Sequence, residues 1–115
     1  MSEYVILIYD AEEPYTDATP ELWRKVKQSH EDFAKIVAQN GGKVLDRQAL
    51  DWTRAATSIR GDAVTTGPFV HTTPALCGYY RIEANDLEHA AEIGKHCPAM
   101  FGGVEVRPVR HVPSA

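Results

Sequence analysis

The run from Ile59 to Ala91, IRGDAVTTGPFVHTTPALCGYYRIEANDLEHAA, constrains the fold most, because it reads as hairpin, irregular loop, strand and capped helix in unbroken succession. TSIR and AVTT flank Gly61 and Asp62, a two-residue connection that suits a type II′ turn with Gly61 at its first central position. After the irregular GPFVHTTPA, the run LCGYYRIEA has the β-branched and aromatic composition of a strand. Asn85, with Glu88 three residues later, predicts a capping-box start for the helix DLEHAAEIGKHC, which Pro98 stops.

The flanking segments complete the pattern. In EYVILIY, Glu3 to Tyr9, alternate positions are apolar on both sides: Tyr4, Ile6 and Ile8 on one, Val5, Leu7 and Tyr9 on the other. Thr19 and Pro20 predict a helix start, Trp23, Val26, Phe33 and Val37 form its apolar stripe with Ile36 alongside, and Gly41 and Gly42 end it near Asn40. KVLDRQAL predicts a moderate second strand, and Val104 to Val109 the last. The 115 residues, 43% hydrophobic, suit a single domain over residues 1–115.

The order β, α, β, inserted hairpin, β, α, β is that of a ferredoxin-like α+β domain, a split βαβ with both helices on one face of the sheet. The first strand is nevertheless apolar on both sides, and Cys77, Tyr79, Val104 and Val106 add apolar surface. The helix-free face therefore needs a cover, and a second subunit packed sheet to sheet would supply it. The alternative cover is the inserted hairpin itself.

Charge and motif content exclude several classes. Twelve Lys and Arg against 16 Asp and Glu give a net charge of −4, which argues against a nucleic-acid partner. No apolar run approaches the about 20 residues of a membrane span, and Met1 to Tyr9 lacks the basic start and cleavage site of a secretory leader, so a cytoplasmic protein is expected. Cys77 and Cys97 are far apart without a CxxC pairing and fit free thiols; Cys77 in a buried strand and Cys97 at a helix C-terminus have no thiolate-stabilising neighbour. The five histidines show no metal-ligand spacing, and no cofactor-binding motif is present.

YVILIYD, SHEDFAKI, the run TSIRGDAVTTGPFVHTTPALCGYYRIEANDLEHAAEIGKHCP and GGVEVRPV together resemble the YCII-related family, in its branch named for a DGPF motif, over nearly the whole chain. The resemblance implies a dimeric α/β barrel of two ferredoxin-like subunits and a His/Asp site in a cleft. His30 matches the family's helical histidine, but Thr66 stands where the family has Asp before GPF, and Val70, His71, Thr72, Thr73 and Pro74 replace a segment that carries a carboxylate and a lysine. A threonine can hydrogen-bond an imidazole but cannot stabilise an imidazolium by charge.

His30 falls within the apolar stripe of the first helix, where a histidine is either a satisfied core residue or a general acid/base aimed at a cleft. His71, in a Gly, Pro and Thr-rich loop, could replace the missing carboxylate, and Arg60 could anchor a ligand carboxylate. Asp46, Arg47, Tyr79 and Tyr80 could line the same cleft, though surface pairing and core packing remain the plainer role of each. These residues outline a homodimer with a small-molecule cleft at His30, flanked by Thr66, His71, Arg60 and Tyr79, that takes a small anionic or aromatic ligand as a binding or regulatory protein. The alternative is a lyase, isomerase or hydrolase with His30 as acid/base, and a purely structural role would leave the cleft closed.

Overall fold

In the computed structural model, which describes residues 1–111 and 113, alternation along the first strand decides where everything else packs. β1 (Ser2–Asp10) turns Tyr4, Ile6, Ile8 and Asp10 into the interior and leaves Val5, Leu7 and Tyr9 half-buried on the other side. It is followed by α1 (Pro20–Gln39), β2 (Lys43–Ala49), β3 (Thr57–Arg60), β4 (Ala63–Thr66), β5 (Ala75–Ala84), α2 (Leu87–Gly94) and β6 (Gly103–Pro108). The main sheet has the order β2-β5-β1-β6 with every neighbouring pair antiparallel, so each βαβ crossover skips one strand. That is the ferredoxin-like α+β arrangement. Among the described residues no helix is long and apolar enough to cross a membrane.

Both helices cover one face. Phe33 and Val37 of α1, and Ala90 and Ile93 of α2, close over Ile6, Tyr80 and Ile82 in a single core cluster. Thr19 caps α1 by accepting from the Leu22 amide at 3.1 Å, and Gly41, at φ +77°, takes the left-handed conformation that turns the chain from α1 into β2. The cap of α2 is one residue later than Asn85: Asp86 accepts from the His89 amide at 2.8 Å. The reciprocal bond expected of Glu88 is made by His89, whose Nδ1 accepts from the Asn85 amide at 2.9 Å. Its Nε2 lies 2.6 Å from the Asn40 carbonyl, tying the start of α2 to the end of α1.

Register corrects the expected distribution of apolar surface. Val104 lies opposite Ile8 and Val106 opposite Ile6, so both point toward the helices, and Cys77 packs there too. The helix-free face instead carries Val5, Leu7 and Tyr9 between polar pairs, the Glu3–Arg81 ion pair and the Tyr79 hydroxyl on Asp46. The hairpin β3–β4 forms its own two-stranded sheet, with Gly61 at φ +59° as a type II′ turn requires. Ile59 and Val64 on it are each 64% exposed, so the hairpin buries no apolar side against the main sheet.

Candidate functional site

The apolar stripe of α1 divides. Its later members Phe33 and Val37 are in the core, while Trp23, Val26 and His30, on the same side one to three turns earlier, wall a groove of about 710 Å³. Across the groove stand Arg47, Leu50 and Trp52, from β2 and the segment after it. Because β1 and β2 run parallel with α1 returning between them, the start of α1 lies beside the end of β2. Trp23 accordingly meets Trp52, their rings 6.4 Å apart, while His30 and Arg47 share the other end.

At that end His30 Nδ1 lies 2.7 Å from the Tyr80 hydroxyl, with the two rings stacked at 5.8 Å and 15°. Phe33 presses edge-on against Tyr80 at 4.9 Å, so the phenol that holds the imidazole is itself fixed by the core. Arg47 is directly opposite Tyr80 in the sheet register, with its side chain on the same face. Burial lowers the pKa of His30 below its ordinary 6.5, and the Arg47 guanidinium lowers it further. Burial raises that of Tyr80, against which Arg47 acts in the opposite direction.

A depressed histidine pKa sets a sign. Between the folded and unfolded pKa values the unfolded chain binds a proton on this imidazole that the folded chain does not, so acidification favours unfolding through this group. The contribution is intact above the unfolded value near 6.5 and is lost as pH falls through the lower folded value. The His30 imidazole is expected to titrate by NMR below 6.5, and Arg47→Gln to move the midpoint upward. A midpoint at or above 6.5 contradicts this geometry.

The other end of the groove is built from loop residues around a buried carboxylate. Asp10, only 7% exposed, accepts from the Ala11 amide at 3.0 Å, the Tyr15 hydroxyl at 2.7 Å and the Phe101 amide at 2.8 Å. It thereby holds Tyr15 against Trp23, stacked at 5.5 Å, and against Phe101, edge-on at 5.5 Å. Glu12 accepts from both the amide and the hydroxyl of Thr53, which anchors the loop bearing Trp52. Burial, followed by Asp10, raises the pKa of Tyr15 and keeps it a phenol. Burial pushes Cys77 up to about 11 and Cys97 up to about 12, so neither thiol is an activated nucleophile.

Of the residues singled out in the sequence, His30, Arg47 and Tyr80 line the groove, whereas Tyr79 borders it from β5 with its hydroxyl donating to Asp46 at 2.7 Å on the helix-free face. Thr66, Arg60 and His71 are elsewhere in the chain. Thr66 ends the exposed strand β4, Arg60 lies over the Phe69 ring at 4.7 Å, and His71 borders a separate cavity of about 340 Å³. Within one chain the hydrogen-bond partner of His30 is therefore Tyr80, and not the hairpin threonine. Among the described residues no three His, Cys, Asp or Glu side chains converge where they could hold a metal ion.

Tyr15, Trp52 and Asp10 were not legible as site residues, since loop aromatics carry no periodicity; their only signal is that two large rings occur in otherwise polar segments. The family model described as YCII-related domain matches residues 2–113 of the chain. No curated protein matches it.

Proposed function

Since the chain belongs to the YCII-related family, we propose that it is a homodimeric ligand-binding or regulatory protein of the DGPF branch, which takes a small molecule into the groove beside His30. The observation behind this is the groove itself. Its volume of about 710 Å³ is that of a small-molecule site, aromatic and aliphatic side chains form much of its wall, and a held imidazole stands with Arg47 at one end. The two free thiols suit a reducing, cytoplasmic setting. Acid/base catalysis is the second reading: with Nδ1 engaged by Tyr80, Nε2 is the nitrogen left to exchange a proton with a substrate.

The test is thermal unfolding against small carboxylates, aromatics and phosphates, on wild type and His30→Gln, because a ligand at 100 times its Kd adds about 2.7 kcal/mol of stability. A melting shift in the wild type that shrinks or vanishes in His30→Gln is the expected result. No shift with any compound, and a mere lowering of the baseline by His30→Gln, would leave His30 a packing residue.

In this reading the subunits pair through the helix-free face, where Val5, Leu7 and Tyr9 lie side by side on β1. Light scattering should return twice the chain mass, and Leu7→Asp should halve it. A wild-type mass of one chain would remove the dimer and leave the groove untouched.

A further inference from the structure

We propose that the groove takes an aromatic carboxylate, with the carboxylate on Arg47 and the ring against Trp23 and Trp52, an assignment that rests on the groove being a ligand site. Charge decides the polar end. Arg47 makes no ion pair with a carboxylate among the described residues, although it lines the groove beside His30 and Tyr80. The acids of the opposite end are engaged: Asp10 holds three donors, and Glu12 holds Thr53 through both oxygens. Lys27, Glu31 and Asp51 also line the groove, as exposed residues, so the guanidinium is the cation that stands with His30 and Tyr80 at this end, and its fork suits a carboxylate. With the Tyr80 hydroxyl donating to Nδ1, a neutral His30 carries its proton on Nε2 and offers a second donor beside Arg47.

Shape decides the apolar end. Tyr15 is stacked on Trp23, and Trp52 meets Trp23 at 6.4 Å and 52° and Tyr15 at 6.1 Å. Rings this close to one another leave no box for an ammonium group between them, as an aromatic cage would need. They present a wall on which a flat ring can lie. Trp23 and His30 are two turns apart on α1, about 10 Å at about 1.5 Å per residue. An aryl ring joined to a carboxylate by one to three carbons spans that distance, whereas a bare inorganic anion or a small aliphatic acid reaches only one end.

The chain has 2 tryptophans and both line the groove, so tryptophan emission, excited selectively over tyrosine, reports on this site. The probes are 3-phenylpropionate and its neutral and cationic counterparts, 3-phenylpropan-1-ol and 3-phenylpropylamine. The acid should give a saturable change and bind about tenfold or more tightly than the alcohol, the worth of one charged hydrogen-bonded pair. Arg47→Gln should bring the acid down to the level of the alcohol while the affinity of the alcohol stays the same. If the alcohol or amine binds as well as the acid, or Arg47→Gln leaves the acid unaffected, the ligand class is wrong while the groove remains a site. If none of the three changes the fluorescence and no compound shifts the melting temperature, the ligand class and the groove reading fall together.

Discussion

Phe33→Ala should destabilise the domain by about 3–5 kcal/mol in urea unfolding, the range for removing a fully buried aromatic ring and leaving a cavity. Phe33 has no exposed surface, sits where α1 crosses the sheet, and meets Tyr80 edge-on at 4.9 Å. Since stabilities of 5–15 kcal/mol are typical, a loss of about this size leaves little margin. Trp23→Ala is the instructive comparison, because it lies on the same stripe but is 44% exposed over the groove. It should alter ligand binding and cost well under half as much stability. Equal losses at the two positions would contradict the division of the stripe into a core half and a groove half.

Asp10→Ala should cost about 3 kcal/mol, because it leaves the Tyr15 hydroxyl and the Phe101 amide without their acceptor in a buried place. The loss should be local as well as global. With Tyr15 released, the stack on Trp23 loosens, and tryptophan fluorescence should shift toward that of solvated indole below the unfolding transition. Asp10→Asn keeps an acceptor oxygen for the two amides and should retain most of the stability. A neutral Asp10→Ala, or an Asp10→Asn as damaging as alanine, would mean that the carboxylate does not organise the aromatic end.

What could be read from the chain alone follows from how local each signal is. The two-sided alternation of β1, the Thr19-Pro20 start and the Gly61 turn are encoded within a few residues, and the ferredoxin-like order follows from their sequence. The cap of α2 falls on Asp86, one residue after the expected Asn85, because both are good caps and only the backbone decides between them. Val104 and Val106 face the helices and not the open face, because facing is set by register against β1, which the local pattern does not encode and a one-residue slip reverses.

The site was legible at His30 and hardly beyond it. Arg47 and Tyr80 are candidates for the cleft from sequence, but their approach to His30 depends on pairing between strands far apart in the chain. The proposed partner Thr66 came from a resemblance, and it lies on a hairpin that, within one chain, stays away from the groove. The aromatic wall came from loops, where side-chain direction is set by long-range anchors such as Asp10 with Phe101 and Glu12 with Thr53.

Mapping NMR shift changes while titrating the compound that most raises the melting temperature locates the ligand relative to the groove between α1 and β2. Shifts concentrated at the His30 imidazole, the Arg47 guanidinium and the Trp23 and Trp52 indoles are the expected result. Shifts confined to the hairpin or to Val5, Leu7 and Tyr9, with the His30 ring and both indoles unmoved, would place binding outside the groove.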